Sequence, residues 1–343
     1  MKALKLAALC LSIASAACHA EAPQAFLSRV EPPAVARAEV VIESEPVERE
    51  PAGLESLRAC ALGSGDAAPI MDRNDPTTPK RVALTFDDGP HVSFTPGVLR
   101  ALRTHRLAAT FFLVGRSING QTYPLVQRMV AEGHALAIHS YNHEVEMATR
   151  FGRDKSEAYI AGQWEVTRML IDIALLSTST KDFDASYTRV FGVAPYAWIT
   201  EEMLANDVGT FAERHRVYLA ERGYEGGARP IEVVFWRPPG GGPYLAHESG
   251  EARKTYDRAL RAVGAINVIW HGGSGDTDRE RRHDRSFLLG NLRHASRAGG
   301  VLLLHDPIDK VALDAGLSQL KTDGVEVVSL ETLAREKLCP ARE

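Results

Sequence analysis

Two short runs carry residue types that could do chemistry together. Thr85-Phe86-Asp87-Asp88-Gly89-Pro90 sets adjacent carboxylates against a Gly-Pro turn. Adjacent carboxylates repel, so burying both raises the pKa of one unless a cation takes the other. Alone, the run also matches an ordinary Asp-Asp-Gly turn in solvent. His139-Ser140-Tyr141-Asn142-His143 spaces two imidazoles at i and i+4. If that segment turns helical, both share a face and can point at one ion. With one Asp they make a two-His, one-carboxylate set that leaves coordination positions open for water, as a catalytic site requires. HxxxH arises by chance on surface helices, but beside a strand-terminal Asp-Asp it marks a candidate metal centre.

The elements that must position these groups follow from hydrophobic periodicity. Val82 to Phe86, Thr110 to Val114, Ala135 to Ile138, Val233 to Trp236, Asn267 to Trp270, Val301 to Leu304 and Val325 to Val328 are short apolar runs with the look of buried strands. Helix-length amphipathic segments lie between most of them, among them Pro124 to Glu132, Ser286 to Arg297 and Leu313 to Lys321. Such β-α-β alternation with near-continuously apolar strands implies a parallel sheet covered by helices. The fold class expected over residues 80–338 is α/β, a distorted (β/α) barrel of about seven strands. Both motifs then fall at the C-terminal ends of strands, the active-site face of such barrels. The stretch Glu144 to Glu232 is long for one crossover and is taken as an inserted excursion at one barrel end. Its Trp164-to-Leu176 part has a helical pattern, while Lys181 to Arg229 does not declare itself. No internal repeat is visible.

Of the 343 residues, 45% are hydrophobic and 24% charged, which excludes disorder, coiled coil and collagen as whole-chain readings. Lys+Arg 40 against Asp+Glu 44 gives a formal charge of -4, so no nucleic-acid partner is expected. Residues 1–20 combine a charged start, an apolar run from Leu6 to Ala17 and a small-x-small site at Cys18-His19-Ala20, the pattern of an export signal. The run is shorter than the ~20 residues of a membrane span, so no transmembrane segment is expected. Lipidation at Cys18 is an alternative outcome of export, to a periplasmic or secreted location either way. Residues 21–79 are expected to be a linker and N-terminal extension, acidic and Pro-rich up to about Glu50. Cleavage after Ala20 leaves Cys60 and Cys339, an even number in an oxidising compartment. A bridge between them and two unpaired thiols are both open.

The chain resembles the polysaccharide deacetylases, the carbohydrate esterases that share the NodB-homology domain. The matching residues are Thr85-Phe86-Asp87-Asp88-Gly89-Pro90, Ala109-Thr110-Phe111-Phe112-Leu113-Val114-Gly115, His139-Ser140-Tyr141-Asn142-His143, Arg237-Pro238-Pro239-Gly240 and Leu302-Leu303-Leu304-His305-Asp306, in the family's order. The resemblance implies that Asp88, His139 and His143 bind a divalent metal, usually Zn2+, with Co2+, Ni2+ or Mn2+ possible. It implies Asp87 as general base, Arg237 as the arginine that pairs with that base, and His305 as the general acid that protonates a departing amine. Gly240, where the family usually has Tyr, is expected to offer a backbone N–H to the developing oxyanion. Similar proteins carry Asp-x-x-Asp-Trp after a strand tryptophan; here Trp270 is followed by His271-Gly272-Gly273-Ser274-Gly275-Asp276-Thr277. Asp276 falls on the second acid and could orient His305, while Gly273 replaces the first acid and Thr277 the tryptophan. Trp270, Trp236, Tyr187, Tyr196 or Trp198 could stand in as a sugar wall. His91, His105, His215 and His294 are expected on the surface.

The function so implied is metal-dependent removal of acetyl groups from an acetylated polysaccharide, by attack of metal-activated water on the acetyl carbonyl. N-deacetylation of an envelope or extracellular glycan is the default. O-acetyl ester hydrolysis on a glycan and a catalytically silent glycan-binding module are the alternatives. No expectation attaches to oligomeric state.

Overall fold

Every one of the seven apolar runs contains a strand, and all pair in parallel. In chain order the strands are β1 (Ile70–Met71), β2 (Arg81–Asp87), β3 (Thr110–Leu113), β4 (Ala135–Ile138), β5 (Phe235–Trp236), β6 (Ile266–Val268), β7 (Gly272–Gly273), β8 (Gly300–His305) and β9 (Glu326–Val327). β1 and β7 escape an apolar-run criterion, the first by its length and the second because two glycines carry no side chain. The computed structural model describes residues 53–63, 70–72, 77–149, 151–195, 197–245 and 250–339. The export signal, Cys18, the acidic stretch up to Glu50 and Tyr196 lie outside them.

The sheet runs β1-β6-β5-β4-β3-β2-β8-β7. Val82 pairs with Gly300 of β8 and with Val327, so β9 lies across β2 from β8, ahead of the residues that β3 takes. The order does not close on itself, which makes the α/β barrel a curled half-barrel.

Alternation along the strands decides where chemistry can occur. Val82, Leu84, Phe86, Phe111, Leu113, Leu136, Ile138, Trp236, Leu302 and Leu304 belong to one buried cluster; Ala83, Phe112, Ala137, Phe235 and Val301 belong to another. Successive side chains point to opposite sheet faces. Counting by twos, Asp87, His139, Arg237 and His305 continue the second set at or just past the C-terminal strand ends. A slip of one residue would turn each of them into the helix layer. Leu57 and Ala61 of α1 (Gly53–Leu62), with Leu330, Leu333 and Ala334 of α11 (Leu330–Leu338), also belong to that second cluster. The Cys60–Cys339 disulfide, with Cα atoms 6.0 Å apart, ties those two helices together.

The intervening helices are α2 (Thr95–His105), α3 (Tyr123–Ala131), α4 (Arg153–Leu176), α5 (Thr180–Phe191), α6 (Glu201–Asn206), α7 (Val208–Ala220), α8 (Gly250–Ala262), α9 (Arg285–Ala298) and α10 (Lys310–Thr322). Among the described residues no helix is long and apolar enough to cross a membrane. The excursion provides the crossover between the parallel neighbours β4 and β5: α4 packs against both α3 and α8. The undeclared stretch from Lys181 to Arg229 holds most of α5 and all of α6 and α7. Ser179 accepts from Asp182 N and Thr200 from Met203 N, and Gly192 at φ 71 ends α5. Short helices punctuated by Gly192 and Pro195 carry little periodicity, so packing decides them: Phe183, Tyr187, Val190, Phe191, Phe211 and Tyr218 all join the first cluster. His215, expected on the surface, is 2% exposed. It lies on the buried face of α7, 3.5 Å from Asp172 of α4. His91 and His294 are exposed and His105 is half-buried.

Candidate active site

The His139-to-His143 segment is not helical. It is a loop beyond β4 in which Ser140 (φ 64) and His143 (φ 61) take left-handed backbone, as Asp88 does (φ 74) beyond β2. Such conformations are uncommon outside glycine and persist where surrounding contacts impose them. Here they bring His143 Nε2 to 3.1 Å and His139 Nε2 to 3.6 Å from Asp88 Oδ1. The three potential ligand atoms lie within 4.8 Å of one another. His139 Nδ1 donates to the Arg237 carbonyl at 2.8 Å, so its Nε2 lone pair is free to face the cluster. Burial holds His139 below its usual pKa, against the pull of Asp87 and Asp88. For Asp88 burial opposes charge, but the hydrogen bond from His143 and the charges of His139 and His305 draw it down to about 2. Asp88 Oδ1 is buried, and apart from the two imidazole nitrogens no group among the described residues donates to it. A neutral imidazole, an ionised carboxylate and an oxygen that no other group holds are what a divalent cation needs, so the residues fit the metal the family implies.

Asp87 is held from the other side. Arg237, fully buried, donates from Nη1 to Asp87 Oδ1 at 2.7 Å and to Thr85 Oγ1 at 2.9 Å, and from Nε to the Val268 carbonyl at 3.1 Å. Its guanidinium carbon lies 4.0 Å over the Phe112 ring. Burial lowers the Arg237 pKa and Asp87 works against that. Asp87 Oδ2 is left 3.6 Å from His139 Nε2.

His305 is the partner of Asp87 across β2 and β8. Its Nδ1 donates to Asp276 Oδ1 at 2.8 Å, and its backbone N–H donates to Asp276 Oδ2 at 2.8 Å. Burial opposes charge on His305, but the hydrogen bond and charge of Asp276, with Asp87 and Asp88 adding, push its pKa up to about 9. Beneath the Asp87–Pro90 turn, buried Asp306 donates its N–H to the Asp87 carbonyl at 3.1 Å. A Cβ on Gly89 would sit 2.8 Å from Asp306 Oδ2, so the motif glycine is required by close packing.

A family model described as polysaccharide deacetylase matches residues 74–175. A chitooligosaccharide deacetylase of Rhizobium leguminosarum bv. phaseoli is 47% identical over 226 residues, 65% of this chain and 79% of that protein. The chain belongs to the polysaccharide deacetylase family. A peptidoglycan-N-acetylglucosamine deacetylase of Listeria monocytogenes is 53% identical over 66 residues, which are 19% of this chain and only 14% of that relative's length. Among solved structures, a peptidoglycan N-acetylglucosamine deacetylase is 24% identical with a TM-score of 0.49, covering 78% of this chain and 92% of that one.

This member of the polysaccharide deacetylase family keeps Asp87, Asp88, His139, His143, Arg237, Asp276 and His305 at or just beyond C-terminal strand ends. Gly240 lies on the exposed turn after β5 at φ +64, and a Cβ there would meet only Val145, two residues past His143. At Gly273 a Cβ would lie 3.0 Å from the Leu303 carbonyl, a tight approach of β7 to β8 that a larger side chain would have to widen. Trp236 and Tyr187 are buried, too enclosed to serve as exposed stacking platforms, and Trp270 is half-buried beside Arg237. Trp198 is 71% exposed.

Motif reading misses Gln163. From α4 its Oε1 accepts from Tyr141 N at 2.7 Å and Asn142 N at 3.2 Å, and its Nε2 donates to Asn142 Oδ1 at 2.8 Å. Asn142 in turn donates to the Tyr159 hydroxyl at 2.9 Å. The signal was present: a glutamine between apolar Ile160 and Trp164 on a helix face has to find a polar partner.

Proposed function

We propose that this chain removes acetyl groups hydrolytically from an acetylated polysaccharide, with an N-acetylated glycan as substrate and a divalent metal as cofactor. The supporting observation is the convergence of His139 and His143 on the Asp88 carboxylate, with Asp87 alongside. Zinc suits this nitrogen-rich set, and a cation bound there polarises a carbonyl and lowers the pKa of water.

The protein's own groups divide the remaining work. Arg237 occupies Asp87 Oδ1 and orients the carboxylate, which leaves Oδ2 to accept the proton of an attacking water. Asp276 accepts the hydrogen bond from His305 Nδ1–H and stabilises the imidazolium, whose Nε2–H can be given to the nitrogen of the departing amine. A pKa near 9 keeps that proton in place at neutral pH. The Gly240 N–H is assigned to the carbonyl oxygen as negative charge develops. Residues 80–338 form the catalytic domain, behind an extension over 21–79 and a cleaved export signal over 1–20. The Cys60–Cys339 bridge suits an oxidising, extracytoplasmic location.

The test is acetate release from chitooligosaccharides, peptidoglycan and acetylxylan, after chelation and again after zinc is restored. Metal-dependent acetate from the N-acetylated substrates is expected. Release from none of them, with or without metal, overturns the reading.

A further inference from the structure

Behind the histidine loop lies a cavity of about 210 Å³ open to solvent, between the turn after β3 and the excursion. Its walls include Arg116, Tyr141, Asp184, Tyr187 and Trp198. We propose that this cavity binds one pyranose residue of a glycan chain, as a subsite separate from the acetyl-hydrolysing centre. The proposal rests on the glycan reading above and adds a second point of contact for the polymer.

Three observations carry it. Trp198 is the most exposed large hydrophobic side chain among the described residues. The chain on either side of it is nevertheless fixed: the Tyr187 hydroxyl donates to the Ala197 carbonyl at 2.8 Å, and Ile199 N donates to the Tyr141 hydroxyl at 3.0 Å. An uncovered indole on a pinned backbone is a preorganised platform, because little rotamer freedom is left to lose on binding. The Arg116 guanidinium carbon lies over its ring, 5.4 Å from the centroid, bringing donors to the platform. Asp184 Oδ1 is buried in the wall with no hydrogen-bond donor, a costly arrangement that a ligand hydroxyl or amide would relieve. A sugar ring offers what these groups lack: an apolar C–H face for the indole and a rim of donors for the carboxylate.

The cavity is linked to the reacting centre. Tyr141 stands between His139 and His143, and Arg116 N donates to the Tyr141 carbonyl at 2.8 Å. A glycan seated here rests against the loop that carries two of the proposed metal ligands.

The test uses the full chain with chitohexaose and chitobiose. For Trp198→Ala and Asp184→Asn, KM for the hexaose is expected to rise about tenfold, which corresponds to about 1.4 kcal/mol for the loss of one stacking or hydrogen-bond contact. Turnover at saturation and hydrolysis of a small aryl acetate stay within twofold of wild type. A parallel titration of chelated protein with chitohexaose, read by isothermal calorimetry, is independent of catalysis. Wild-type binding that weakens in both variants supports the subsite even if no acetate is ever released, an outcome that would sink only the hydrolytic reading. Absence of binding by wild type, or equal binding by all three proteins, overturns the subsite.

Discussion

On the side of the candidate metal ligands, the loop from His139 to His143 is fastened from outside its own strand. The Arg237 carbonyl takes His139 Nδ1, Gln163 holds the backbone of Tyr141 and Asn142, and Tyr159 holds the Asn142 side chain. On the acid side, Asp276 alone bridges to both the ring and the backbone N–H of His305. Left-handed residues such as Ser140 and His143 need many external contacts to persist, whereas β8 already holds His305 in extended backbone and only its ring must be turned. The first arrangement depends on the crossover helix α4; the second depends on one carboxylate.

Removing a ligand breaks the metal side outright. Asp88→Ala and His143→Ala are expected to abolish stoichiometric zinc binding and to lower acetate release by about a thousandfold or more, the scale of several kcal/mol of lost charge stabilisation. Metal analysis alongside initial rates checks this. The acid side should fail differently. Asp276→Asn keeps the metal but lowers turnover on an N-acetylated oligomer by about a hundredfold. Its pH profile carries the sign: a raised His305 pKa keeps the acid protonated up to about pH 9. Losing the carboxylate lowers that pKa, so the alkaline limb moves to lower pH. An activated aryl acetate, whose leaving group needs no proton, is spared more. Equal loss on amide and ester would dissociate His305 from the role proposed.

Gln163→Leu sharpens the contrast, because it touches no ligand. Zinc affinity should weaken by about tenfold, and activity should return in excess zinc with the alkaline limb unmoved. The smallest effect lies within the excursion. Burial draws His215 down to about 3, with Arg229 and Arg168 adding, so the folded state resists a proton that the unfolded chain accepts below its usual pKa. Stability is therefore present above pH 6.5 and lost as pH falls. Asp172 acts in the opposite sense: burial raises it to about 6, so the folded state gains protons, and stability, as pH falls below that value. His215→Gln leaves Asp172 unopposed, and at pH 5.5 its stability relative to neutral pH should exceed that of wild type by about 1 kcal/mol in denaturant titrations.

Strand-forming runs and strand-terminal motifs were readable because they are local. A buried parallel strand needs apolar side chains on both faces, and the chain has them wherever a strand occurs except at β1 and β7, which are too short or too bare to show it. The HxxxH spacing was misleading about local structure: i, i+4 suggested a helical face, yet the imidazoles meet across a strained loop. His215 was misjudged because its burial is set by Asp172 on another helix. Gln163 was overlooked because its partners are backbone groups on a different segment.

Residue order alone was enough for the parallel α/β plan and, with the family resemblance, for naming candidate groups to hold a cation and move protons, since alternation along a strand and the chemistry of a side chain are properties of a few neighbouring positions. Folding in three dimensions was needed to bring Asp88 beside two imidazoles, to draw Arg237 onto Asp87 and to set an indole over an open cavity. Each of those depends on the backbone direction of segments far apart in the chain, and contacts between distant segments leave no local pattern.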